Sequence, residues 1–183
     1  MTRRCQLLLA ALAAMLLCLG ASATAADPSD PGTTLTPQTA FEKLTQLGGS
    51  WAPVEQDSAA DDHSPVLFRV TAAGSAVMAT FFAGTEMEMI SMFHLDGPDR
   101  LLHTHYCALG NQPRMRFEAC DEPNTLKMVF DGGTNMDAEV DLHVHEMTLR
   151  FVDENTIESE TVAFAEGKPA NVRQETFVRD SGE

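Results

Sequence analysis

The sequence predicts an all-β protein, an antiparallel meander of about ten strands that closes into a barrel after one short helix. Three observations carry this expectation. From Trp51 to the C-terminus, runs of about 6–10 residues alternate with turn residues. One stretch before them has helical periodicity and helix start and stop signals, and no other long helical pattern competes with the strands. Ten short strands are also too many for a flat sheet with protected edges, and closure removes the edges.

The chain begins with Arg3 and Arg4, an apolar run from Leu7 to Leu19 and the small residues Ala21-Ser22-Ala23-Thr24-Ala25-Ala26. That order of charge, apolar core and cleavage site is a secretory signal peptide, expected to be cut after Ala23 or Ala26. A bilayer span takes roughly 20 apolar residues and this run is shorter, so no stable membrane anchor is expected after cleavage. Cys18 follows Leu17, where lipid attachment needs a small residue, so a lipoprotein is not expected. The expected product is exported, periplasmic or extracellular. The expected division is a leader at 1–26, a flexible linker at 27–35 with Pro28, Pro31 and Gly32, and a barrel domain at 36–183.

The full chain carries a net charge of −15; without Arg3 and Arg4 it has 10 basic residues against 27 acidic ones, a charge of −17. Such a field disfavours nucleic acid and anionic membrane surfaces as partners. Cys5 and Cys18 leave with the leader, while Cys107 and Cys120 remain where a disulfide can persist.

Thr36 is the expected N-cap of the helix and Pro37 its first residue, with Phe41, Leu44 and Leu47 on one face and Gly48-Gly49 as the stop. Strands are expected near 50–55, 65–73, 76–83, 87–95, 100–109, 114–120, 125–131, 141–152, 156–165 and 171–179. Turns are expected at Ala73-Gly74-Ser75, Asp96-Gly97-Pro98, Asn111-Gln112-Pro113, Asp153-Glu154-Asn155 and Glu166-Gly167-Lys168-Pro169.

Gly49-Ser50-Trp51 after a short helix resembles the G-x-W at the first strand of calycin barrels, the superfamily of lipocalins and fatty-acid-binding proteins. The strings FRVTAAGSAV, MFHLDG, THYCALGNQPRM, FDGGTN and FVDENTIESE, in that order from Phe68 to Glu160, are similar to a family of exported bacterial proteins of unassigned function. The resemblance implies a calycin-like, lipocalin-like barrel over most of the mature chain and no known catalytic residues.

Alternation along each strand assigns the faces. Leu126, Met128 and Phe130 are expected inside, as are Met115, Phe117 and Ala119. His143 and His145 share parity with Met147, Leu149 and Phe151, so they too are expected inside. The runs 87–95 and 100–109 do not sort: Glu88, Ile90, Met92 and His94 oppose Met87, Met89, Ser91 and Phe93, and Leu101, His103, His105 and Cys107 oppose Leu102, Thr104 and Tyr106. Mixed faces suit a wet, side-chain-lined cavity; a sheet covered on both sides is the plainer alternative.

The chemistry on offer follows from these faces. His103, His105, His143 and His145 form two His-x-His pairs that suit zinc or copper, and a single inward histidine suits haem as an axial ligand. Met87, Met89 and Met92 are read as flexible core filler before copper ligands. The acidic loop from Asp131 to Asp141, with Asn135, Asp137 and Glu139, reads as a solvated turn before a calcium site. No nucleophile elbow, phosphate-cradling glycine loop or HExxH is present. The leading expectation is a non-enzymatic exported barrel that binds a small-molecule ligand in its lumen, with His94, His105, Tyr106, Asn111, Arg114 and His145 as contacts. A metal- or haem-binding barrel is the alternative, and an enzyme with Glu88, His94 and His105 as an acid-base cluster comes third.

The cysteines set a condition on the histidines. If Cys107 and Cys120 lie directly across a hairpin and are bonded, they share the outer face of Arg114, Arg116 and Glu118, and His103 and His105 then point outward as well. A bulge between 105 and 120, using Gly110, releases the histidines. The expectation is that His105 and His145 face the lumen with such a bulge present and the thiols unbonded.

Overall fold

The computed structural model describes residues 33–54 and 64–180; the expected leader and most of the expected linker lie outside them. The helix α1 (Pro37–Gln46) starts at a capping box in which the Thr36 side chain accepts from the Thr39 amide at 3.2 Å and the Thr39 hydroxyl accepts from the Thr36 amide at 2.8 Å. Its inner face, Ala40, Phe41 and Leu44, is buried together with Leu35 and Leu47.

Ten antiparallel strands follow: β1 (Gly49–Pro53), β2 (Val66–Thr71), β3 (Ala76–Phe81), β4 (Met89–Leu95), β5 (Leu101–Tyr106), β6 (Gln112–Glu118), β7 (Thr125–Thr134), β8 (His143–Phe151), β9 (Thr156–Ala165) and β10 (Lys168–Arg179). Each pairs with its neighbours in sequence, and β1 pairs with β10 to close the barrel. One short helix followed by a closed ten-stranded antiparallel meander is the general build of a calycin-like fold.

In such a meander alternate connections lie at the same end. The β2–β3, β4–β5, β6–β7 and β8–β9 turns share one end, and α1 packs there against β4 and β5. Trp51 is wholly buried at this end, donating from Nε1 to the Leu47 carbonyl at 2.7 Å and meeting Phe68 edge to face. The Arg179 guanidinium lies 4.4 Å from the indole centroid and donates to the Gly48 and Gln46 carbonyls, each at 2.9 Å. One side chain of the last strand thereby ties the first strand to the helix that plugs the barrel.

The inner face sorts by strict alternation in most strands. Val66 and Phe68, Val77 and Ala79, Ser91 and Phe93, Leu126 and Met128, and Leu149 and Phe151 are buried. The unsorted run in β4 resolves with Met89, Ser91 and Phe93 inside and His94 exposed; in β5, Leu101, His103 and His105 are buried and Tyr106 is exposed.

Two expectations about register are corrected. The β5–β6 turn falls earlier than the sequence suggested, at 107–111, with Gln112 and Pro113 already in β6. The Cys107 amide donates to the Asn111 carbonyl and the Gly110 amide to the Cys107 carbonyl, and Gly110 adopts φ +85°. His103 therefore opposes Met115 in unbroken register, and Cys107 and Cys120 sit at opposite ends of the hairpin. Both are free thiols. The conflict between disulfide and histidines dissolves, because its premise, that the cysteines lie across from each other, does not hold. Likewise Lys168 and Pro169 belong to β10, leaving Glu166 (φ 52°) and Gly167 (φ 68°) as a two-residue turn, the left-handed pair that tight hairpins use.

Candidate functional site

The open end of the barrel, opposite α1, holds a cavity of about 210 Å³. Phe81, Phe82, Met89, Val144, Met147 and Phe177 form its apolar lining. Ser91, His103 and His105 supply polar groups from β4 and β5, and Arg173 and Glu175 do so from β10, on the opposite wall.

The two imidazoles have different surroundings. β5 runs from the plugged end toward the mouth, so His103 is the deeper of the pair. Its ring stacks on Phe93 with centroids 4.3 Å apart and planes 8° apart, and neither ring nitrogen has a hydrogen-bond partner among the described residues. Burial drives the His103 pKa down to about 3, helped by His105 beside it. His105 stands nearer the mouth, with Nδ1 3.0 Å from the Ser91 hydroxyl and its ring edge-on to Phe81. Desolvation lowers its pKa to about 4. Both rings are thus uncharged at neutral pH and offer N–H donors and lone pairs, not positive charge.

His143 and His145 do not line this cavity. The β8–β9 register shifts between Val144 and Glu146, leaving His145 as the extra residue of a bulge. One inserted residue reverses the parity of everything before it: Val144 and its partner Ala163 line the lumen with Met147, whereas His143 and its partner Phe164 do not. His145, expected to face the lumen, is not among the residues that line this cavity; besides the shift in β8, the register of the β6–β7 ladder also shifts between Pro113 and Met115. His145 is instead layered between Phe164, with centroids at 3.8 Å, and Phe130, at 4.7 Å.

This second pair has a defined polarity. His143 Nδ1 lies 2.7 Å from the Asp141 carbonyl, which only accepts, so Nδ1 carries the proton. In a neutral ring Nε2 then accepts, and it lies 3.1 Å from His145 Nδ1, which must donate. The chain leaves the lone pair of His145 on Nε2. Desolvation, then the neighbouring His143, lowers the His145 pKa, against an opposing pull from Glu146.

The remaining expected contacts are distributed elsewhere. His94 and Arg114 are exposed on the outer face of β4 and β6, and Tyr106 is also exposed. Asn111 is buried, but its amide donates to the Leu142 carbonyl at 2.8 Å and so ties two open-end loops together. Glu88 is exposed and accepts from the Gly84 amide at 2.7 Å, so Glu88, His94 and His105 do not form an acid-base cluster. The acidic loop uses its carboxylates on its own backbone: Asp141 accepts from the Asp137 amide and Asp137 from the Glu139 amide. Among the described residues no three His, Cys, Asp or Glu side chains converge where they could hold a metal ion. The His103–His105 and His143–His145 pairs stand on strands separated by β6 and β7, so the four-histidine zinc or copper site is not assembled.

Several members of this site had no distinctive signal in the sequence. Phe81, Phe82 and Phe177 read as ordinary core or turn residues, and Arg173 and Glu175 as an alternating strand surface. Ser91 was visible only as a polar residue in a strand whose faces did not sort. No helix among the described residues is long and apolar enough to cross a membrane. Compared with known proteins, the chain matches no family model and no curated sequence.

Proposed function

We propose that the protein is an exported, non-enzymatic barrel that takes a small, mainly apolar molecule into the open half of its lumen. The observation that carries this reading is the cavity itself, apolar on most of its lining and bearing a buried histidine whose nitrogens have no hydrogen-bond partner among the described residues. A buried polar group of this kind costs free energy unless something bonds it, and a ligand polar group is one way to do so. Exposed apolar side chains on the open-end loops, Met87, Leu109, Val140 and Leu142, suit the entry of such a molecule. The leader in the sequence supports export. An engineered apolar cavity of about 150 Å³ holds benzene, so a lumen of this size accommodates roughly eight to ten non-hydrogen atoms.

Saturation-transfer NMR with a panel of apolar molecules of that size tests the reading. Members of the panel bind and compete with one another, and Ala163→Phe, which fills the lumen, abolishes the signal. Absence of binding by every member, or binding that Ala163→Phe leaves intact, contradicts it.

A further inference from the structure

We infer that the lumen selects an uncharged hydrogen-bonding head group, a hydroxyl or carbonyl on a small apolar body, held head-down against His103 and His105, and rejects carboxylates. The inference rests on the lumen reading above and adds the chemical class of the ligand.

The cavity sets the polar side chains of Ser91, His103 and His105 within an otherwise mainly apolar lining. His103 is 2% exposed and has no partner on either ring nitrogen among the described residues, while Phe93 holds its ring plane in place by stacking. Its ring centroid is 6.5 Å from that of His105, and His105 bonds Ser91 through Nδ1 with no partner for Nε2 among the described residues. A neutral imidazole always has one donor and one acceptor nitrogen. A hydroxyl can donate to one and accept from the other, and a carbonyl can accept from an N–H. Phe81, Met89, Val144 and Met147 line the same cavity and suit an apolar body.

A carboxylate meets the opposite circumstances. Among the described residues no lysine or arginine of the lining stands on the strands that carry Ser91, His103 and His105, and the imidazoles resist protonation because burial penalises the charged form. Of the residues lining the cavity the cation is Arg173, which is exposed, paired with Glu175 at 2.7 Å and five strands round the ring from β5 in either direction. An ionised group beside the imidazoles would lose its hydration without gaining a counter-charge.

The test compares three ligands of one shape, propylbenzene, 2-phenylethanol and phenylacetate, by titration calorimetry at pH 7.5 on the mature protein and on His103→Phe and His105→Phe. Phenylacetate binds at least about tenfold more weakly than 2-phenylethanol. At least one of the two variants weakens 2-phenylethanol by about tenfold and leaves propylbenzene unchanged or tighter, because only the alcohol loses a hydrogen bond. Phenylacetate binding as tightly as the alcohol, or alcohol affinity indifferent to both substitutions, overturns the inference while the lumen reading stands. Failure of all three ligands to bind overturns the lumen reading and this inference with it.

Discussion

At the scale of single residues, the four described strand histidines on β5 and β8 act as two unrelated pairs. In His103 and His105 the folded pKa values, about 3 and about 4, lie below the ordinary 6.5. The sign of the consequence follows by linkage: the unfolded chain takes up protons as pH falls below 6.5, while the folded protein does so only near 4 and 3. Stability contributed by the neutral rings is therefore complete above pH 6.5 and is lost progressively as pH falls toward 4 and 3. Denaturant midpoints measured between pH 7.5 and 4 fall more steeply for the wild type than for His103→Phe. The same substitution raises stability at pH 7.5 by about 1–2 kcal/mol, since it removes an unpartnered buried polar group and keeps the stack on Phe93. Equal slopes, or a loss of stability at pH 7.5, count against the description of His103. For the second pair, long-range proton–nitrogen spectra of the neutral rings are expected to show the protons of His143 and His145 on Nδ1, with Nε2 bare. Protonation of either ring on Nε2 alone is incompatible with the chain that starts at the Asp141 carbonyl.

At the scale of elements, alternation made most of the barrel legible. Leu126, Met128 and Met115 are inside where their parity placed them. It failed at β8, because parity carries through a strand only while the count is unbroken, and nothing in the residues Val144-His145-Glu146 announces an extra one. Gly110 attracted the expected bulge because glycine suits a distorted backbone, yet its positive φ serves the turn. The helix was readable because its cap, its proline and its apolar spacing agree. The clamp across the plugged end was not readable, since Arg179 and Trp51 are 128 positions apart and only closure brings them together. Arg179→Ala removes the cation over the indole and two bonds to the Gln46 and Gly48 carbonyls, and is expected to cost about 2 kcal/mol by chemical denaturation. A change below a few tenths of a kcal/mol means that the clamp is ornamental to stability.

At the scale of the whole molecule, the barrel separates two jobs. One end is filled by α1, Trp51 and the large apolar side chains around them; the other keeps a lumen with polar groups on opposite walls. The fold was legible in the sequence because a meander needs only local pattern. The site was legible in part: the His-x-His spacing marked His103 and His105, but which of the two pairs faces inward depended on bulges and register that side-chain pattern alone does not encode. The measurement closest to the central claim is a titration of the isotope-labelled mature protein with 2-phenylethanol, followed at the imidazole nitrogens of all four histidines. The account predicts saturable shifts of His103 and His105 with His143 and His145 unmoved; shifts confined to the second pair, or no saturable shift at either of the first, contradict it.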